Sequence, residues 1–183
     1  MLYISDVLNF LMLRIVCLID KLSLVVGASA ATLVLPLGLI MTYEALARFL
    51  LNLPTFWAYE LSYMITGAHF ALGIALVTRN SEHIRIDFLY SRMPKLCKEI
   101  IDFVILFFCM TPLMIWTSVE LVAYAWNTWL INEVSGESGW NPVVWPVKTA
   151  IAIGFSVFAI QLIAEVIKTG SRILSLIFGE KRG

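Results

Sequence analysis

The sequence predicts an all-α integral membrane protein with four transmembrane helices, both termini cytoplasmic, and an N-terminal amphipathic helix at the membrane interface. Composition is the first reason. Of 183 residues, 60% are hydrophobic and 14% charged, with a mean hydropathy of +0.87. Soluble domains lie nearer ~45–50% apolar and ~25% charged. The second reason is four long stretches almost free of charge, and the third is the lopsided placement of Lys and Arg around them. Thirteen Lys+Arg against thirteen Asp+Glu leave no net charge, which excludes a general nucleic-acid binder. Three cysteines without CxxC spacing give neither a disulfide framework nor a metal site. The partner that composition names first is the lipid bilayer.

Residues 1–20 form a leader. Leu8, Leu11, Ile15, Leu18 and Leu22 recur at helical spacing, with Ser5, Asp6, Asn9 and Asp20 largely elsewhere on the wheel. That pattern suits a helix lying in the interface before it turns into the first span; a cytoplasmic extension of that span is the other reading. Met1–Asp6 supply neither the basic n-region nor the cleavage site of a signal peptide. Residues 21–183 then make a single transmembrane domain. A helix needs about 20 apolar residues to cross a bilayer. No charge lies between Lys21 and Glu44, which gives a first span at about 22–43. Glu60 and Arg79 bound the second, 61–78, and Glu120 is the lone charge in the stretch holding the third, about 103–126. The fourth, about 147–165, is short and leads into a basic tail, 166–183. Pro36 and Pro112 fall inside spans one and three, where a kink is tolerated if neighbours satisfy the freed carbonyl.

Orientation follows from the cations. The leader, the loop between spans two and three, and the tail hold every Lys and Arg except Arg48 and Lys148. The positive-inside rule puts those three segments, and both termini, in the cytoplasm. Tyr43, Trp57, Tyr59, Tyr124, Trp126, Trp129, Trp140 and Trp145 gather at the opposite face as an aromatic belt.

Ionisable residues inside a membrane mark function, so their depth matters. Counted along the helices, Glu44, Glu60 and Glu120 fall at the outer edge and Glu165 at the inner edge, while His69 is the ionisable side chain near mid-depth. An ion-coupled carrier needs a site near the bilayer centre, and no carboxylate is predicted there. His69 is left with a hydrogen bond to a neighbouring helix or subunit, or a proton-relay role. A haem is excluded: His69 and His83 are the only histidines, and their spacing puts them roughly 21 Å apart along one helix. No nucleophile–base pair or Gly-rich phosphate loop is present, so neither catalytic residues nor a cofactor are expected. In span two, Ser62, Thr66, Gly67, Ala71 and Ala75 supply small residues for close helix approach, either within the bundle or against a partner.

The segment around span two carries a specific pattern: Tyr43-Glu44, Arg48, Trp57-Ala58-Tyr59-Glu60, Gly73, Arg79 and His83-Ile84-Arg85-Ile86-Asp87. Its Trp-x-x-Glu start and Arg-x-x-x-His-Ile-x-x-Asp exit resemble the small membrane subunit of tripartite ATP-independent periplasmic (TRAP) transporters. Ser138 to Lys148 looks like the start of that family's last helix. The resemblance implies a non-catalytic subunit in the bacterial inner membrane. Its implied partners are a large multi-helix membrane subunit, which holds the substrate and sodium sites, and a periplasmic solute-binding protein that delivers an organic acid. The wording WAYELSY and HIRIDFLYSR is most similar to a subgroup linked to 2-oxo acids.

Physical roles can be assigned to the matched residues. Glu44 and Arg48 are spaced to pair on one helix face; with Glu60 and Glu120 they form either an outer polar cluster or a set of solvated headgroup-level charges. Arg79, His83 and Asp87 make either a structural junction at the inner end of span two or an ordinary basic loop. Two other functions stay open on the residues alone: a stand-alone carrier acting as a dimer, and a membrane anchor for an unrelated complex.

Overall fold

The structure, a computed structural model, describes residues 2–80 and 94–179. The helices are α1 (Leu2–Thr32), α2 (Val34–Leu51), α3 (Phe56–Arg79), α4 (Lys95–Val104), α5 (Thr111–Leu130) and α6 (Trp145–Gly179), with a π-helical stretch, Ile105–Met110, joining α4 to α5. Four rods are long and apolar enough to cross a membrane: Met12–Leu51, Phe56–Arg79, Lys95–Leu130 and Trp145–Phe178. The only β pairing among the described residues is an isolated bridge between Val134 and Val143.

Local chemistry explains where the rods bend and stop. α1 runs unbroken past residue 20, and the interruption in the first rod falls at Leu33. Pro36 thereby sits in the first turn of α2, where its missing N–H would have had no intrahelical acceptor. Pro112 is treated differently. It follows the π-helical stretch by one residue, and that residue, Thr111, donates both its backbone N–H and its hydroxyl (2.7 Å) to the Leu106 carbonyl. α2 ends at Asn52, in the left-handed conformation (φ 51°, ψ 32°), with the Leu53 N–H bonded to the Ala47 carbonyl (3.1 Å). Asn tolerates that conformation, and Pro54 prevents the helix from resuming. α5 ends the same way: Asn132 has φ 48°, and the Glu133 N–H reaches the Thr128 carbonyl (3.1 Å).

α6 is the axis of the fold, packing against α1, α3, α4 and α5, whereas α2 packs on α1 and α3. Half of the most apolar window of α6 is buried within the chain, against none of that of the α4–α5 rod. Ala75, Val157, Phe158 and Leu162 form the buried apolar cluster, with Val26, Ile74, Leu106 and Met114 packed around it. Small residues set the closest crossings. A Cβ on Gly154 would overlap the Ala71 carbonyl, and one on Gly27 would lie 2.5 Å from the Leu76 Cβ. Ala71 and Ala75 of the small-residue series in span two are therefore used inside the bundle. A Gly154→Val protein, with no room for its side chain against the α3 backbone, is expected to lose about 1–3 kcal/mol and to melt earlier in detergent. Gly38→Ala, whose new methyl meets nothing within 4 Å, should not lower the melting temperature.

Candidate functional site

Polar side chains gather at three places, each joining elements far apart in sequence. At the end of the bundle that the cation distribution assigns to the cytoplasm, called inner on that expectation, α6 presents Gln161, Glu165 and Lys168 toward Asp20 and Ser23 of α1. Ser23 Oγ donates to Gln161 Oε1 (2.7 Å). Gln161 Nε2 donates to Asp20 Oδ1 (2.9 Å) and Glu165 Oε1 (3.0 Å). Lys168 Nζ donates to the same two oxygens, at 2.7 and 2.8 Å. One ammonium and one amide thus hold two carboxylates from two helices, and Ser23, Gln161 and Glu165 are buried. A buried charge is tolerable only when paired and hydrogen-bonded; this ring meets both conditions. Arg79, at the inner end of α3, lies within electrostatic reach of Asp20, and Arg172 pairs with Glu99 of α4 (3.3 Å).

At the opposite end, called outer on the same expectation, the connection from α5 to α6 folds into a hairpin. Ser135 N–H bonds the Pro142 carbonyl and Val144 N–H the Glu133 carbonyl, both at 3.0 Å. Gly136 (φ 69°) and Asn141 (φ 47°) supply the turn geometry, and the Asn141 side chain accepts from the Gly136 N–H (2.6 Å). The hairpin is pinned twice. Ser135 Oγ donates to Glu60 Oε1 on α3 (2.6 Å), and Glu60 is fully buried, its Oε2 without a partner among the described residues. On the other side Lys148 Nζ donates to Glu133 Oε2 (2.7 Å), Tyr124 Oη (2.7 Å) and Thr128 Oγ1 (3.3 Å), which uses all three of its protons. The hydrogen bonds from Lys148 and then Thr128 hold the Glu133 carboxyl below its ordinary range. Between α5 and α6 an apolar groove of about 490 Å³ opens sideways, walled by Val122, Trp126, Trp129, Trp145 and Ile153.

The third place is the corner between α2 and α3. Arg48 Nε donates to Glu44 Oε1 (2.9 Å), and a second guanidinium nitrogen reaches the same oxygen. The other Glu44 oxygen accepts from the Thr55 N–H (3.1 Å) and from the Thr55 hydroxyl. Glu44 thereby caps α3 from outside, placing a carboxylate at the positive end of that helix. Tyr43 and Trp57 meet above it, ring centroids 5.8 Å apart.

Of the residues singled out from the sequence, the corner brings Glu44, Arg48 and Trp57 together. Glu60 makes its bond to the hairpin instead, and Glu120, exposed on α5, accepts only a long bond from Trp116 Nε1 (3.4 Å). His69 Nδ1 donates to the Ala30 carbonyl of α1 (2.8 Å). Gly73 faces open space within 4 Å. His83 and Asp87 lie outside the described residues. The inner ring was not anticipated from the sequence, although Gln161 alone in an apolar span is a signal for it, since an amide at membrane depth needs partners.

The family model for tripartite ATP-independent periplasmic transporters, DctQ component, matches residues 37–170. The chain belongs to the DctQ family. It is thus a TRAP transporter small membrane component, of a transporter family and not an enzyme family, and with its four apolar rods it reads as a multi-pass inner-membrane protein. No curated protein matches the chain. The matched DctQ region opens in α2 and closes in α6, so it holds the corner, the hairpin pins and the α6 half of the inner ring, while Asp20 and Ser23 precede it.

Two outcomes test these pins. Gln161→Leu leaves the Ser23 hydroxyl buried without its acceptor and should cost about 1–3 kcal/mol, read as a lower melting temperature in detergent. Glu133 has a lowered pKa, so its pin contributes stability above the ordinary Glu range and loses it as pH falls through the depressed value. Fluorescence of the neighbouring Trp140 and Trp145 should report a transition below that range, and Glu133→Gln should remove it.

Proposed function

We propose that this DctQ-family chain is the non-catalytic small subunit of a sodium-coupled, binding-protein-dependent importer of an organic acid. It stabilises and orients the large multi-helix membrane subunit, and its outer face, with the hairpin and the α2–α3 corner, contacts the periplasmic solute-binding protein. Both termini are cytoplasmic, and residues 1–20 bring the amphipathic leader to the inner membrane surface. The outer pins act as a register motif built on Glu44, Arg48, Trp57 and Glu60. Gly73, Arg79, His83 and Asp87 continue that motif along α3 and past its inner end.

The family match carries this reading. The way the polar residues are spent supports it: Asp20, Gln161, Glu165 and Lys168 bond to one another, and Glu133 and Lys148 do the same. Side chains committed to internal bonds rigidify a scaffold; a carrier needs them available to cargo. The motor and the substrate site then belong to the large subunit.

The test is purification in mild detergent through a C-terminal tag, from cells that carry the whole transport locus. A much larger polytopic protein at equal stoichiometry is expected, with uptake that needs sodium and the matching binding protein. Recovery of the chain alone, as a homodimer, would contradict the subunit reading and return attention to His69.

A further inference from the structure

α5 keeps one face for α6: Ser118, Ala125 and Thr128 are its buried positions. On the opposite face Leu113, Trp116, Glu120, Ala123 and Asn127 are all exposed. Their spacing alternates three and four residues, the pattern by which one helix seats against another in a left-handed pair. Lipid alone would ask nothing polar of that face, yet it carries a carboxylate and an amide.

The structure sets Glu120 deeper along its rod than the outer edge expected from the sequence. The Ser118 hydroxyl donates to the Phe155 carbonyl (2.9 Å), which fixes the register of α5 on α6 and sets Glu120 level with Ile153. That is about 12 Å along α6 from Trp145, at 1.5 Å per residue. Glu lacks the long stem by which Lys and Arg reach the headgroups. Asp20, Glu44 and Glu165 are each satisfied within the chain at shorter distances, as is one oxygen of Glu60, whereas Glu120 receives, among the described residues, one 3.4 Å bond from an exposed indole. An acid exposed to hydrocarbon on a spanning helix is costly unless something pairs it.

We infer that the outward seam Leu113–Trp116–Glu120–Ala123–Asn127 is the docking face for a transmembrane helix of the large subunit, and that this helix brings a cationic side chain to Glu120. The inference rests on the subunit reading above and names the surface that serves it. Ala123 gives the backbones room, Glu120 fixes register and partner by charge, and Asn127 bonds across the outer end of the seam.

The experiment uses the complete chain co-expressed with the large subunit. A photo-crosslinking amino acid is placed at Ala123, which leaves Glu120 intact, and separately at Phe70 on the exposed apolar side of α3. The Ala123 probe should crosslink to the large subunit and the Phe70 probe should not. In the unlabelled complex, the isosteric Glu120→Gln should lower recovery of the large subunit about tenfold, the effect of one lost charge-assisted contact, while this chain itself still accumulates. Crosslinks from Ala123 only to lipid or to a second copy of this chain, or unchanged recovery with Glu120→Gln, would overturn the seam. If the unaltered chain recovers no large subunit at all, the subunit reading falls with it; if it does and Ala123 stays silent, only the seam falls.

Discussion

Hydrocarbon offers a polar side chain no hydrogen bonds, and this constraint organises the whole chain. α6 carries an amide, a carboxylate and an ammonium within two turns, at Gln161, Glu165 and Lys168, and those groups are tolerable in a membrane helix only because Asp20 and Ser23 of α1 meet them. With the first and last spans tied at the inner end, α3 is trapped beside both. Small residues then allow the close approaches, Gly154 against the Ala71 backbone and Gly27 against the Leu76 side chain. The outer end repeats the principle with different chemistry, as a hairpin held by Glu60 on one side and Lys148 on the other. The polar pins choose the register, and the small residues set the distance.

The two ends also differ in how they use charge. The inner ring shares two acceptor oxygens between two donors, so removing any member leaves the others partly unpaired. The outer pins are separate, one on α3 and one on α5 and α6, and one includes an acid outside the spanning rods whose charge is held by Lys148. This asymmetry gives the molecule one shared clasp at one end of the bundle. At the other end it gives a loop held by separate contacts, next to the corner where Glu44 and Arg48 close α2 onto α3. What remains outward is largely apolar, with Glu120 and Asn127 as exceptions on α5. That face is the one proposed to be covered, which suits a family of transporter components.

Much of this was legible before any coordinates. Hydropathy located the four rods because spanning length is a physical requirement, and Asn52 with Pro54 mark a helix stop by known backbone preferences. The pairing of Glu44 with Arg48 follows from helical spacing. Rotation and partner choice were not legible. Glu44, Arg48, Glu60 and Glu120 were grouped by depth alone, and depth along an axis does not say which way a side chain faces; the structure distributes their bonds over the corner, the hairpin and α5. Asp20 was assigned to the polar side of the leader, whereas its donors, Gln161 and Lys168, lie more than 140 positions away. For His69 the residues alone left two roles open, and the geometry gives it the Ala30 carbonyl. The π-helical stretch ahead of Pro112 is likewise invisible to periodicity, which assumes an unbroken α-helical turn.

The claim that the inner clasp holds the bundle is tested most directly by a double-mutant cycle on Asp20 and Lys168. Asp20→Asn, Lys168→Met and the double variant would be melted in lipid nanodiscs and compared with the parent chain. A coupling of about 0.5–3 kcal/mol, with the double variant less destabilised than the sum of the singles, is the predicted result. Strictly additive losses would mean that the two side chains act independently, and would contradict the clasp as the constraint on which the fold depends.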